Sequence, residues 1–143
     1  MSVADAVAAA RRSGDFGSLV EAIPYLRFLG VRLELREGRR VGVMPFAEHL
    51  VGNPTVPALH GGTLGGLLES MAHLEVLASA ESERLPRTIT LTVDFLRSGK
   101  TRETYAAAKV VRHGRRVATL QAHAWQEDES APIATAMVIL KVG

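Results

Sequence analysis

Apolar and polar positions along this chain follow two different periods, and the change between them divides it. Val31 to Arg36 alternates strictly, which predicts a half-buried strand, and Arg39 to Met44 returns as a second strand after a Glu37-Gly38 turn. Gly61 to about Ala80 is apolar on nearly every side and predicts one long helix, ending near Arg84-Leu85-Pro86. A helix of that kind must be wrapped by protein or lipid. Thr88 to Leu96 then alternates with a threonine-rich face, Ser98-Gly99-Lys100 breaks it, and Thr104 to Arg112 continues. Arg115 to Gln126 alternates again after the His113-Gly114 turn, and Ile133 to Val142 follows a polar turn at Glu127 to Pro132.

Upstream, Ser2 to Arg12 is alanine-rich and predicts a helix capped by Ser2 and stopped by Ser13-Gly14. Gly17 to Ala22 predicts a second short helix that ends before Pro24, and Tyr25 to Gly30 reads as an extended approach to the first strand. Pro45 to Leu59 reads as irregular, with Pro45, Gly52, Asn53-Pro54 and Pro57 as breakers. The order is therefore helix, two strands, one long buried helix and a four-strand meander. Without βαβ alternation a doubly wound fold is disfavoured. The expected architecture is α+β, an antiparallel sheet wrapped around one central helix. Residues 1–22 form a helical extension and 23–143 the main domain, with no linker between them. Self-association would cover the remaining sheet faces and edges.

Composition narrows the field. One domain of 143 residues can bury a real core. With four Phe, two Tyr and one Trp there is little to stack on bases, and a net charge of +2 gives no strong positive field, so nucleic-acid binding is not expected. The absence of cysteine excludes disulfides, thiolate metal sites and a thiol nucleophile, and fits a reducing cytoplasm. Ser2 to Ala10 does not read as a secretory signal, and no apolar run is long enough to span a bilayer, so no membrane partner is expected.

The candidate chemistry sits in His60-Gly61-Gly62-Thr63-Leu64-Gly65-Gly66-Leu67-Leu68-Glu69. Helix-start N–H groups lack intrahelical partners and lie at the positive end of the dipole. With glycine there, an oxygen gaining negative charge can approach closely. The alternative is that these glycines serve close packing, although each costs a helix roughly 1 kcal/mol against Ala. Glu69 is the candidate base or nucleophile, since desolvation suits a carboxylate to general-base work near neutrality. The alternatives are a carboxylate that reaches solvent or pairs with an arginine.

Gly61 and Glu69 are eight residues apart, about 12 Å along one helix at 1.5 Å per residue. A base must come within about 3 Å of its proton, close to the same carbonyl that the amides hold. One helix cannot do both for one substrate, whereas two antiparallel copies about a two-fold axis can. The spacing thus predicts a site shared across a dimer interface. His60 caps the helix start or orients a substrate oxygen, and His73, four residues after Glu69, is placed to pair with it. His60, Glu69 and His73 lack the spacing of a zinc hydrolase, and no metal is expected. His49, His113 and His123 read as surface or strand residues. Arg97, Lys100 and Arg102 form one basic cluster, and Arg112, Arg115 and Arg116 another. They read either as solvated turn charge or as contacts to a phosphorylated ligand.

Taken together these residues resemble the hotdog-fold acyl-CoA thioesterases, particularly the phenylacetate-degradation branch. The likeness rests on His60-Gly61-Gly62 with Glu69 seven residues beyond, the strand Thr88 to Arg97, and the Arg112-His113-Gly114-Arg115 turn, and it covers Ile23 to the C-terminus. The resemblance implies a hotdog fold, an antiparallel sheet around one long helix, here with an added N-terminal helix. It implies hydrolysis of an acyl- or aryl-acyl-CoA thioester, with coenzyme A as part of the substrate, no cofactor, and a homodimer or homotetramer. It assigns the Gly61 amide to the thioester carbonyl and Glu69 of the partner subunit to the role of base or nucleophile. Thr88 would hold water, and Asn53 stands where the family often has an Asn near the base, one residue further from His60 than expected. Gly62, Leu68, His73, Phe95, Arg97, Lys100, Arg112 and Arg115 would contact substrate, the basic residues lying near the CoA phosphates. Leu50, Val56 and Leu64 join Leu68 and Phe95 as residues expected to shape the acyl pocket. A non-catalytic acyl-CoA binding module and, less favoured, a hotdog dehydratase are the other readings.

Overall fold

A computed structural model describes residues 2–79 and 84–143. Helix α1 (Val3–Ser13) begins with a capping box in which the Ser2 hydroxyl accepts from the Asp5 amide and the Asp5 carboxylate accepts from Ser2. Helix α2 (Gly17–Ala22) follows as expected. The segment expected to approach the first strand in extended form is instead a helix, α3 (Pro24–Leu29). Pro24 presets φ at its first turn, and Gly30, at φ 75°, closes it in the left-handed conformation that glycine adopts without strain.

Strands β1 (Arg32–Arg36) and β2 (Arg39–Met44) form a hairpin whose turn residues, Glu37 at φ 54° and Gly38 at φ 77°, have the double left-handed geometry that matches strand twist. The stretch before the long helix is less irregular than its prolines suggest. A short 3-10 turn at Glu48–Leu50 leads into β3 (Val51–Asn53), which pairs with β4 (Ala58–Leu59) in a separate two-stranded sheet. Helix α4 runs Gly61–Ser79. The expected end near Arg84-Leu85-Pro86 lies beyond residues 80–83, which are outside the described residues; Arg84 to Pro86 are not helical. Strands β5 (Arg87–Phe95), β6 (Thr104–His113), β7 (Val117–Trp125) and β8 (Ala134–Lys141) complete the chain.

The six-stranded sheet has the order β1-β2-β6-β7-β8-β5 and every pair is antiparallel. The four-strand meander expected from sequence is therefore only β6-β7-β8. β5 does not pair with β6 but lies beyond β8 at the sheet's edge, with Leu91 opposite Val138. Alternation reports which face of a strand is buried and not which strand lies beside it. The sheet curls around α4 in the hotdog arrangement. Its concave face is small-sided, carrying Ala106, Ala118, Ala122, Ala124, Ala134 and Ala136 beside Leu120, Val138 and Leu140, so the bulky side of α4 packs closely. Gly42 of β2 leaves room for Met71; a β-carbon there would sit 2.5 Å from its sulfur.

Leu67, Leu68, Met71 and Leu74 are fully buried at the centre, and α1 and α2 add Ala6, Val7, Ala10 and Leu19 to the same apolar cluster. Truncating Leu68 to Ala is expected to lower the unfolding free energy by about 2–5 kcal/mol, because the surrounding alanines cannot collapse into the void. A denaturant titration measures it.

On the convex face, Glu129 accepts two hydrogen bonds from Arg39, at 2.6 and 2.8 Å, and lies 2.6 Å from His123 Nε2. Arg39, and secondarily His123, push its carboxyl down to about 2 from the ordinary 4.5. The stability tied to its charge is present above the ordinary value and lost as pH falls through about 2. The Arg39 and Glu129 side chains are 46% and 37% exposed. After solvent screening, Glu129→Gln is expected to cost about 1 kcal/mol or less at neutral pH. In denaturant titrations the two proteins should converge in strong acid.

Candidate active site

Helix α4 is not apolar on every side. Gly61, Gly66, Glu69, Ser70 and His73 form a half-buried strip along it, facing β5 and α3. The strip exists because β5 is an edge strand, leaving that flank of the helix without a further strand.

At the helix start the backbone donors divide unequally. The Gly62 N–H donates to His60 Nδ1 at 2.8 Å, and the Thr63 N–H and hydroxyl both donate to the His60 carbonyl, at 3.0 and 2.6 Å. Leu64 N–H shares that carbonyl at 3.4 Å. His60 is thus the helix cap, and the acceptor role of Nδ1 puts the proton of its neutral ring on Nε2. Among the described residues the Gly61 N–H has no backbone or side-chain acceptor. The Phe95 ring of β5 packs against the α-carbon side of Gly61, with ring carbons 3.2 and 3.3 Å from where a β-carbon would stand.

A groove of about 440 Å³ runs from Gly61 and Gly62 past Gly65 and Gly66 to Glu69, walled by Leu91, Val93 and Phe95 of β5 and by Tyr25 of α3. Glu69 is half-buried and, among the described residues, has no hydrogen-bond or ion-pair partner. The arginine pairing considered from sequence falls instead to Glu75, which Arg40 holds at 3.0 and 3.1 Å. Beyond Glu69 lies a second, apolar pocket of about 290 Å³, bordered by His73, Thr88, Leu26 and Leu77 among others. Glu69 borders both.

His73 does not hydrogen-bond Glu69 as expected. Its Nε2 lies 2.8 Å from the Thr88 hydroxyl, across the pocket on β5. Burial lowers the His73 pKa from its ordinary value, against the opposing pull of the Glu69 charge, so the ring is neutral near pH 7.

The other sequence candidates scatter. Asn53 is exposed at the helix-start end, where its side chain accepts from the Thr55 amide at 3.0 Å. Leu50 and Leu68 are fully buried in the core, and Val56 is 61% exposed. Leu64 and Phe95 border a shallow cavity beside Arg97 and Gly99. Arg97 donates from Nε to the Pro132 carbonyl, and Lys100 and Arg102 approach Glu127. Arg112 and Arg115 lie at the β6-β7 hairpin, level with the start of β5 through Val117, Lys141 and Arg87. The two basic clusters therefore stand a strand-length apart, about 26 Å over the eight steps of β5 at 3.3 Å per residue. One protomer cannot bring both to one phosphate. Among the described residues no three His, Asp or Glu side chains converge on a metal-sized site.

Sequence reasoning missed Tyr25. Its hydroxyl lies over Gly66, where a β-carbon would meet it at 2.5 Å, and its ring stacks on Phe28. Pro24 and Gly30 bracket a six-residue helix, and reading them as start and stop would have placed Tyr25 on it.

A hotdog sheet around a helix that presents an open glycine amide and an unpartnered carboxylate on one flank defines a class: thioester-processing hotdog enzymes. The comparisons with known proteins agree. Residues 52–140 match the acyl-CoA thioesterase N-terminal domain family. The chain is 32% identical over 136 residues to the medium/long-chain acyl-CoA thioesterase YigI of Salmonella typhimurium, with 85% of this chain and 86% of that protein covered, and equally so to YigI of Escherichia coli K12. A Chromobacterium violaceum protein of known structure superposes with a TM-score of 0.79 at 29% identity, covering 97% of both chains. A phenylacetic acid degradation-related protein of Ralstonia eutropha shares the fold at TM-score 0.75 and 23% identity, covering 89% of this chain and 98% of its own. The chain belongs to the acyl-CoA thioesterase family and is a thioester hydrolase.

Proposed function

We propose that this chain hydrolyses medium- to long-chain acyl-CoA as a homodimer, with Glu69 of one protomer and the Gly61 amide of the other acting on one thioester. The observation that carries this reading is a pair of groups on one flank of α4, an amide without an acceptor and a carboxylate without a donor among the described residues, too far apart to serve one carbonyl alone. Medium- and long-chain acyl-CoA thioesters are the substrates for which the YigI relatives are named.

Edge strand β5 supports the mode of assembly. Among the described residues it pairs only with β8, and its other edge is nine residues long with Ile89 and Phe95 more than half exposed. The opposite edge, β1, carries Arg32, Glu34 and Arg36 in five residues, which blunts it. Antiparallel pairing of β5 with its copy sets Gly61 of one helix toward Glu69 of the other. It also brings Arg97 and Lys100 of one protomer to the end occupied by Arg112 and Arg115 of its partner, so that both clusters can meet CoA phosphates.

Water hydrogen-bonded to Thr88 attacks the thioester carbon, and Glu69 takes its proton as general base. The carbonyl electron pair moves to oxygen and is held by the Gly61 N–H. Collapse re-forms the carbonyl, breaks the carbon–sulfur bond and returns the proton from Glu69 to the CoA thiolate. No cofactor or metal enters this reading.

The test is complementation. Glu69→Gln and Gly61→Pro proteins, each inactive alone, are unfolded, mixed in equal amounts and refolded. If sites are shared, half the dimers are mixed and carry one intact site of two, so on the order of a quarter of wild-type thiol release returns. If each protomer works alone, none returns.

A further inference from the structure

Two cavities meet at Glu69, and they differ in character. The groove toward Gly61 runs over the glycine backbone of α4 between Tyr25 and the β5 side chains, whereas the pocket on the other side is walled by hydrocarbon from several separate parts of the chain, Leu85 and Pro86 before β5 among them. α1 contributes Val3, the α2–α3 junction Ile23, α3 Leu26, and the C-terminal half of α4 Leu74 and Leu77. Leu26, Leu74 and Leu77 are buried while Val3 and Ile23 are half-exposed at the wall. The polar groups bordering the pocket besides Glu69 are Ser70, whose hydroxyl donates to the Gly66 carbonyl at 2.6 Å, and the His73–Thr88 pair, each already engaged. An occupant of this pocket finds apolar surface along its length and a carboxylate at one end.

We propose that this pocket takes the acyl chain of the substrate, and that the N-terminal helices act as the stop that sets its preferred length. The inference rests on the reading that Glu69 is the base, because that puts the thioester carbon at the pocket's Glu69 end. From Glu69 to Leu77 the helix advances eight residues, about 12 Å at 1.5 Å per residue, close to the length of an extended octanoyl to decanoyl chain. Val3 brings α1 into the substrate site. A straight chain in this pocket contacts Leu26 and Leu74 along its middle and meets Val3 and Leu77 at its end. Denying one or two methylenes their place is worth about tenfold or more in kcat/KM.

The experiment measures kcat/KM for butanoyl-, octanoyl-, decanoyl-, hexadecanoyl- and phenylacetyl-CoA with the wild-type, Val3→Phe and Leu77→Ala proteins. Val3→Phe is expected to lower the decanoyl-to-butanoyl ratio by about tenfold, and Leu77→Ala to move the optimum toward longer chains. Val3 is half-buried at the first position of α1, outside the fully buried core, so this variant should fold; its circular dichroism and melting curve are recorded beside the kinetics. If both folded variants keep the wild-type ranking of chain lengths, the pocket is not the acyl site, although the protein remains a Glu69-dependent hydrolase. If Glu69→Gln turns over the panel as fast as wild type, the reading of Glu69 fails, and the pocket inference falls with it.

Discussion

Replacing Glu69 with Gln is expected to slow acyl-CoA hydrolysis by about a hundred- to ten-thousand-fold, the range over which a positioned general base contributes. The substitution keeps the shape and removes the charge. Glu69 is half-buried and, among the described residues, has no partner, so nothing in the protomer is left unpaired when the charge goes. A partly desolvated, unpaired carboxylate costs stability, and the variant should melt at the same temperature as wild type or slightly above. That combination separates a catalytic carboxylate from a structural one: Glu75, held by Arg40 in two hydrogen bonds, should behave in the opposite way when changed to Gln, losing stability and keeping activity. Thiol release and thermal melts measured on both variants decide the matter, and a Glu69→Gln protein with near wild-type turnover defeats the assignment. Single turnover in heavy-oxygen water tests the role further. The label enters the released acid on the first turnover if Glu69 is a base, whereas label found in Glu69 itself marks an anhydride.

Gly61→Pro is expected to cost about a hundred- to a thousand-fold in kcat, the worth of one oxyanion donor. This replacement suits the position unusually well. Gly61 is the first residue of α4, where proline is favoured because its fixed φ is helical and its missing N–H has no intrahelical acceptor. Here that N–H has no acceptor of any kind among the described residues, so the fold loses no hydrogen bond. Proline does add a β-carbon facing Phe95, 3.2 Å from the ring, which must shift slightly. Gly61→Ala adds the same carbon and keeps the amide. The ratio of the two variants' kcat values therefore reports the N–H alone. Equal losses would mean that the ring contact and not the amide matters, and the oxyanion role would be withdrawn. Gly62→Ala is a useful contrast: the Gly62 amide, already taken by His60, is kept, and the added β-carbon, 2.8 Å from His60 Nδ1, acts through the cap.

Most of the secondary structure was legible because it depends on local periodicity. The β1-β2 hairpin, α4 and the four later strands each follow from spacing of apolar residues over a few turns or steps. Tyr25 to Gly30 was misread because six residues are too few for a helical period to stand out from an apolar run; the punctuation by Pro24 and Gly30 carried the information. Pro45 to Leu59 was misread for the reverse reason. Its breakers mark turns correctly, but β3 and β4 are strands of three and two residues stabilised by each other and by the His60–Leu50 backbone bond, with no period to detect.

The site divides along the same line. His60, Gly61 and Glu69 could be picked out because a polar group on an apolar helix is conspicuous in one dimension. Their separation of eight residues is a matter of helix rise, so the expectation of a second copy rests on the chain alone. The partners of these groups do not. His73 belongs to Thr88 and not to Glu69, and Glu75 takes the arginine that Glu69 was a candidate for, because those choices depend on which strand flanks which turn of α4. Strand order is set by long-range pairing among β-strands whose local patterns are interchangeable. Placing β5 at the edge is what opens one flank of the helix, exposes Glu69, turns Tyr25 and the N-terminal helices into walls, and separates the two basic clusters by a strand's length.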